Sequence, residues 1–168
     1  MAIPEFLVEL RAVVGTRPLW LSCVTAVVLD DQDRLLLGRR TDTGAWALIG
    51  GIIDPAEQPA DAIVRECFEE TGVAVVPELF TGVTVSPPMT CANGDQVQYL
   101  ELNFRCRAVG GEARVNDDES LEVAWFAQDE LPELDESYRS RLLMGLRCTG
   151  EAAFEFSGLR AVLGADAP

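Results

Sequence analysis

Residues 50–73 hold a glycine pair and then a segment in which acidic residues recur at helical spacing. Glu66, Glu69 and Glu70 stand at positions i, i+3 and i+4, so an α-helix from about Pro59 to Thr71 places three carboxylates on one face. Like charges so placed repel each other by about 0.2–0.5 kcal/mol per pair, so this face gains stability only when a cation binds. Carboxylate oxygens are hard ligands, which favour Mg²⁺ or Mn²⁺ over zinc.

The same acidic pattern is also typical of an ordinary solvated helix face. Three features favour a helix that packs against the protein and has a function. Ala62, Ile63 and Cys67 make its opposite face apolar. Gln58-Pro59 supplies an N-cap with proline at the first helical position, and Gly50-Gly51 lets backbone carbonyls approach an ion closely. On the residues alone, the structural and the functional interpretations stay about equal.

The composition removes several classes of function. Thirteen basic against 28 acidic residues give a net charge of −15, which repels the phosphate backbone of long nucleic acids. A small phosphorylated ligand stays compatible with this charge, because bound divalent cations reverse the local field. The chain has no histidine, which excludes Ser-His-Asp and Cys-His catalysis and His-based zinc sites. Acid–base chemistry is therefore left mainly to carboxylates.

The remaining sequence signals concern the compartment and the partners. Five separate cysteines without a Cys-x-x-Cys pair indicate buried reduced thiols rather than a disulfide framework. No apolar run approaches the ~20 residues of a membrane span, and the N-terminus lacks the pattern of a signal peptide. We therefore expect a cytoplasmic protein with no membrane partner. The N-terminal amphipathic helix is expected to mediate homodimer contacts or to cover a sheet edge.

Apolar and turn-forming segments alternate in a way that predicts one α/β domain over residues 1–168, with a mixed sheet and a helix on each side. Residues 1–18 form an N-terminal helical extension, and residues 150–168 form a tail whose apolar residues, Phe154, Phe156, Leu159 and Val162, suggest packing. Strands are predicted at 19–29, 34–40, 79–86, 96–107 and 122–127, and helices at 5–14, 59–71 and 135–146. Gly110-Gly111 is expected to break the chain.

The glycine pair and the acidic helix together resemble the Nudix box, G-x5-E-x7-R-E-U-x-E-E-x-G-U, where U is a bulky apolar residue. The residues in register are Gly51, Glu57, Arg65, Glu66, Glu69, Glu70, Gly72 and Val73, with Cys67 at the first U. The similarity extends over roughly residues 22–134. Ile49 and Ala56 depart from the proline and the glycine that are common at these positions, and neither departure removes a metal ligand.

The resemblance implies a Nudix-like α/β/α sandwich, with the catalytic helix after the glycine-rich loop. It also implies that one or more Mg²⁺ or Mn²⁺ ions bind the diphosphate and activate a water molecule that attacks phosphorus. Matched by position, the metal ligands are Glu66, Glu69, Glu70 and the carbonyl of Gly50. Glu66 would serve as ligand or base. Glu57 and Arg65 would pair as structural support, together with Gly51 and Gly72.

Many members of the family add a carboxylate from the loop before the Trp-bearing strand. Glu119 is the first candidate for this catalytic role, with Glu122 and Asp118 behind it, and an ordinary loop acid is an equal alternative. Candidate substrate-binding residues are Arg39, Arg40, Trp46 and Tyr99. Each could instead have a structural role, as a surface strand residue, a packed aromatic side chain or a member of a cross-strand pair.

The leading hypothesis is hydrolysis of the diphosphate bond in a nucleoside diphosphate linked to another moiety, such as ADP-ribose. The first alternative is a nucleoside triphosphate diphosphohydrolase, including one for oxidised nucleotides. The same metal site would serve both reactions. A further alternative is a non-catalytic Nudix domain that senses a nucleotide. Such domains usually lose box carboxylates, all of which are kept here.

Overall fold

The computed structural model describes residues 4–91 and 93–154. The helices are α1 (Glu5–Val14), α2 (Pro59–Thr71) and α3 (Glu136–Arg147). The strands are β1 (Leu19–Leu29), β2 (Leu35–Arg40), β3 (Trp46–Ala47), β4 (Val73–Val85), β5 (Met89–Thr90), β6 (Gln96–Gly111) and β7 (Ser120–Phe126). No helix within these described residues has the length and apolar character needed to span a membrane.

The strands form one mixed sheet of seven strands in which β1 is central. β1 runs parallel to β6, in register from Leu19 opposite Val97 to Leu29 opposite Arg107, and β4 pairs antiparallel with β6. β2 pairs with β1 only at Leu29 and Leu35, and it then turns to pair with β3 and β7. β1 and β2 therefore diverge, and the glycine turn fits against the edge of β1 that this divergence leaves free.

Both faces of β1 are buried, which explains its near-continuous apolar sequence. Val24, Ala26 and Val28 lie on one face and pack in a cluster with the apolar side of α2. Val27 and Leu29 lie on the other face and pack in a second cluster with Leu142 of α3. The helices α2 and α3 thus cover opposite faces of the sheet, and the predicted mixed α/β sandwich is confirmed.

Helix α1 packs over the start of β1 and β6. Its one buried side chain is Leu7, which lies in a small cluster with Leu21 and Val97. Arg11 fixes the end of the helix, because its guanidinium donates to the carbonyl oxygens of Gly15, Arg17 and Gln96. The helix therefore covers part of the sheet of its own chain. Its role in a homodimer stays a prediction.

Two sequence predictions in the second half of the chain are wrong. β4 begins at Val73 and not at 79, because the chain enters the sheet directly after α2 and Val73 pairs with Gly111. Gly110-Gly111 does not break the chain, since it ends β6 inside this ladder. Gly111 is needed there because a side chain at its φ of 84° would overlap the backbone of Gly72.

The cysteines and the C-terminal tail were also subjects of sequence predictions. All five cysteines are free, as predicted, but only Cys67 and Cys106 are buried, and Cys91 is exposed. Phe154 is also exposed. Phe156, Leu159 and Val162, for which packing was predicted, lie outside the described residues.

The turn before α2 explains why glycine is common at position 56 in the family that this segment resembles. Ala56 has a φ of 67°, in the left-handed region that disfavours any residue with a Cβ atom. The amide of Glu57 donates to the carbonyl of Asp54 at 3.0 Å, which closes the turn around Ala56. The strain is therefore built into the loop that carries Glu57.

We expect Ala56→Gly to raise the free energy of unfolding by about 1 kcal/mol, because glycine adopts this φ without strain. Ala60→Gly, four residues later inside α2, is the matched control and should lower it by about 0.5–1 kcal/mol. Urea denaturation of the two variants measures both changes. The same sign for both variants would contradict the assignment of strain to Ala56.

Candidate active site

Helix α2 is held at both ends by local features of the sequence. Pro59 occupies its first turn, and Gln58 is an extended N-cap whose side chain makes no capping bond. Gly72 ends the helix in the left-handed conformation, and its amide donates to the carbonyl of Phe68. Ala62, Ile63 and Cys67 are fully buried beneath it. The acidic side of the helix is thereby turned toward the glycine turn.

The glycine turn lies against the edge of β1. The amide of Val24 donates to the carbonyl of Gly51 at 2.9 Å, and the amide of Ala26 donates to that of Ile49 at 2.8 Å. A Cβ atom on Gly50 would overlap the carbonyl oxygen of Val24 and lie 2.9 Å from the Cα of Thr25. Position 50 therefore has no room for a side chain, and the turn sits as close to β1 as backbone allows.

Glu66 lies under the glycine turn. It is 5% exposed, and a Cβ atom on Gly51 would overlap its carboxylate. Desolvation raises the pKa of Glu66, and the guanidinium of Arg65 acts in the opposite direction. The missing side chain at Gly51 is what makes space for this buried carboxylate.

Arg65 ties the acidic side of the helix to the preceding loop. Its Nε and Nη2 donate to the two carboxylate oxygens of Glu57 at 2.8 and 2.9 Å, and Nη1 donates to Glu66 at 2.8 Å and to Glu69 at 3.1 Å. The hydrogen bonds to Arg65 hold the pKa of Glu57 below its usual range. The pairing that the Nudix resemblance implies for Glu57 and Arg65 is thus present as a two-pronged ion pair.

The three helix carboxylates differ in their surroundings. Glu69 is 58% exposed at its side chain and bonds Arg65. Glu70 is partly buried, and its Oε1 accepts from the amide of Gly50 at 3.3 Å. Desolvation raises the pKa of Glu70 to about 8, and the charges of Glu66 and Asp117 act in the same direction. The spacing predicts three equivalent carboxylates on one face of the helix. In the structure one of them is exposed and two are shielded from solvent.

The fit of these residues to a divalent cation follows from their charges. No group of three acidic or cysteine side chains in the described part of the chain is close enough to form a ready metal cluster. Glu66 and Glu69 instead share Arg65, and no described basic side chain forms an ion pair with Glu70. The donor set of Glu66, Glu70 and the backbone at Gly50 consists of hard oxygens, and a hard cation suits it. Glu69 bonds Arg65 through one of its two carboxylate oxygens, as Glu66 does, so it stays a predicted ligand.

The loop between β6 and β7 adds an acidic residue that the sequence did not single out. The amides of Arg114 and Asn116 donate to the carbonyls of Thr71 and Glu70 at 3.0 and 3.2 Å, which docks the loop on the end of α2. Asp117 follows, and its charge acts on the pKa of Glu70. Spacing could not separate Asp117 from its acidic neighbours, since only these backbone contacts select it.

The other loop candidates lie in different surroundings. Glu119 is partly buried, its amide donates to Asp117 at 3.1 Å, and its carbonyl accepts from the amide of Thr41 at 2.8 Å. Asp118 is exposed. Glu122 lies in β7 and forms a 3.9 Å ion pair with Arg39. The charge of Asp117 acts on the pKa of Glu70 in the helix.

The four candidate substrate-binding residues all have contacts within the protein. Arg39 donates to the carbonyl of Gly44 at 2.9 Å, and Arg40 forms two hydrogen bonds with Asp42 at 2.8 and 2.7 Å. Trp46 packs edge-on against Phe126, with the ring centroids 4.9 Å apart. Tyr99 packs against the small cluster under α1, and burial raises its pKa to about 12. These contacts are the ones expected if the four residues have structural roles.

Comparison with known proteins adds independent evidence. The NUDIX domain family model matches residues 20–144. A MutT-like protein of Streptomyces ambofaciens is 37% identical over 134 residues, which cover 79% of this chain and 81% of the relative. The crystal structure of a MutT NUDIX hydrolase from Burkholderia pseudomallei superposes with a TM-score of 0.63 and 30% identity, over 75% of this chain and 98% of that one.

Relatives named for particular substrates differ from one another. The human protein named 8-oxo-dGDP phosphatase NUDT18 is 32% identical over 115 residues, and the match covers 65% of this chain but 33% of that protein. A protein of Methanocaldococcus jannaschii named ADP-ribose pyrophosphatase is 30% identical over 113 residues, 66% of this chain and 64% of that one. What these proteins share with the chain is the domain that carries the box. The chain therefore belongs to the Nudix hydrolase family, as a Nudix-type pyrophosphohydrolase.

Proposed function

We propose that this pyrophosphohydrolase cleaves the diphosphate bond of a nucleoside diphosphate linked to another moiety, with a divalent cation held by Glu66, Glu70 and the carbonyl of Gly50. The observation that carries the proposal is the pair of shielded carboxylates beside a tightly packed backbone turn. Desolvation and then the charge of Glu66 raise the pKa of Glu70, so the two charged carboxylates are unfavourable together until positive charge reaches them.

The residues of the site would have different roles. Arg65 holds Glu66 and Glu69 and ties them to Glu57, which fixes the helix relative to the loop. Asp117 adds negative charge from the side of the loop, and Glu119 stays a candidate for the same role. A cation bound between these groups would neutralise the diphosphate and lower the pKa of a water molecule. The protein contributes the positions of the carboxylates and their shielding from solvent.

The substrate class rests on weaker support than the bond that is cleaved. A net charge of −15 disfavours long nucleic acids and leaves small nucleotides, whose phosphates are brought in with the cation. The relative named ADP-ribose pyrophosphatase supports a linked nucleoside diphosphate. The relative named 8-oxo-dGDP phosphatase favours an oxidised nucleotide as the second candidate. A non-catalytic sensor would have no use for the full set of box carboxylates.

We expect Glu66→Gln and Glu70→Gln to lower kcat at least about 100-fold while the protein stays folded, because each keeps the shape of the side chain and removes a charge that the cation needs. Asp61→Asn, on the exposed first turn of the same helix, is the matched control and should keep wild-type kcat. Steady-state rates with Mg²⁺ and circular dichroism measure the two properties.

In the same assay Asp117→Asn should lower kcat more than Glu119→Gln, since the charge of Asp117 acts on Glu70. Wild-type rates from both helix variants would remove the metal site from α2. A larger loss from Glu119→Gln would return the loop role to Glu119.

Metal affinity should rise with pH in the protein without substrate. The pKa of Glu70 is raised to about 8, so this carboxyl is mostly protonated at pH 7, and a cation binds its deprotonated form and releases the proton. Affinity for Mn²⁺ should therefore increase about tenfold per pH unit below pH 8 and level off above it. Titration calorimetry between pH 6 and 9 measures this slope. A flat profile in the wild type, or a slope that persists in Glu70→Gln, would contradict the assignment.

A substrate panel with Mg²⁺ separates the candidate functions. ADP-ribose should yield AMP and ribose 5-phosphate faster than nucleoside triphosphates, including 8-oxo-dGTP, yield monophosphate and inorganic diphosphate. Faster release of inorganic diphosphate would favour the triphosphate alternative. Tight nucleotide binding without turnover across the whole panel would favour the sensing alternative.

A further inference from the structure

The face of the sheet opposite α2 carries a buried ion pair between β6 and α3. Glu101 is 7% exposed and Arg141 is 9% exposed, and Nη1 of Arg141 donates to Oε1 of Glu101 at 2.9 Å. Removing two charges from water is costly, and apolar residues of similar size would often serve stability as well or better. Stability alone is therefore a weak reason for this pair.

The pair also forms hydrogen bonds with two other strands. Nη1 of Arg141 also donates to the hydroxyl of Thr25 in β1 at 3.1 Å. The other carboxylate oxygen of Glu101 accepts from the hydroxyl of Thr84 in β4 at 2.7 Å. Arg141 is itself fixed by the carbonyl and hydroxyl of Ser137 and by the ring of Tyr138, whose centroid lies 4.5 Å from the guanidinium carbon.

Thr25 is the point at which this pair meets the catalytic turn. Its Cα would lie 2.9 Å from a Cβ atom on Gly50, so the strand and the turn have no space between them. The amides of the two flanking residues, Val24 and Ala26, bond the turn at Gly51 and Ile49. The position of β1 at Thr25 therefore limits where Gly50 can lie.

We infer that the Glu101–Arg141 pair is a positioning device for the proposed metal site, acting through Thr25 on the Gly50 turn. Mg²⁺ demands near-ideal octahedral geometry, and altering residues that support metal ligands typically changes metal affinity or activity 10–100-fold. The inference rests on the function proposed above. In this proposal Arg141 and Glu101 contact neither the metal nor the substrate, so they are positioning residues.

The experiment compares two hydroxyl deletions that are matched in chemistry and differ in direction. Thr25→Val removes the contact toward the turn. Thr84→Val removes the contact of Glu101 that points away from the turn, together with the hydrogen bond that Thr84 accepts from the side-chain amide of Asn103. Calorimetric titration of Mn²⁺ into the substrate-free variants should show affinity lowered about threefold or more by Thr25→Val and unchanged by Thr84→Val. Equal effects of the two substitutions would overturn the inference.

A second arm separates positioning from stability. Arg141→Met alone leaves Glu101 buried and unpaired, so it should unfold at lower temperature. The double variant Arg141→Met with Glu101→Leu should regain the wild-type melting temperature or exceed it, yet bind Mn²⁺ about tenfold more weakly and show lower kcat at little changed KM. Arg141→Lys should recover part of the lost affinity.

The outcomes distinguish this inference from the proposed function. A double variant with wild-type Mn²⁺ affinity and kcat would overturn the positioning role and leave the metal site intact. Failure of the wild-type protein to bind Mn²⁺ would overturn the metal site and the positioning role together.

Discussion

The rest of the site depends on the close contact between the glycine turn and β1. Backbone hydrogen bonds from Val24 and Ala26 hold the turn where no side chain fits at Gly50. This contact fixes the amide of Gly50 beside Glu70 of α2, and the missing side chain at Gly51 leaves space for the carboxylate of Glu66. It is available because β1 and β2 pair at one position only and then diverge.

The chemistry follows from what this contact does to nearby charges. It shields Glu66 and part of Glu70 from water, and desolvation raises the pKa of both carboxyls. Arg65 compensates Glu66 and Glu69, but no described basic side chain is paired with Glu70. Glu70 is therefore the carboxyl that a bound cation would most strongly stabilise in its charged form.

Much of this arrangement could be predicted from the sequence, and the limits have physical reasons. Helix α2 was predicted correctly over Pro59–Thr71, because its apolar spacing and end signals are local. The unequal surroundings of Glu69 and Glu70 could not be predicted, because they depend on the contacts of Arg65 and on the position of the glycine turn. Asp117 was missed for a similar reason, since its place is set by backbone contacts between a loop and the end of α2.

The proposed divalent cation would bind between α2 and the glycine turn. The most direct measurement is paramagnetic broadening in ¹⁵N-correlated NMR spectra of the labelled protein titrated with Mn²⁺. With a cation at this position, we expect the amide signals of Gly50, Gly51 and Asp117 to disappear first, while that of Gly145 in α3 persists. Uniform broadening, or earlier loss of signals away from the turn, would contradict it.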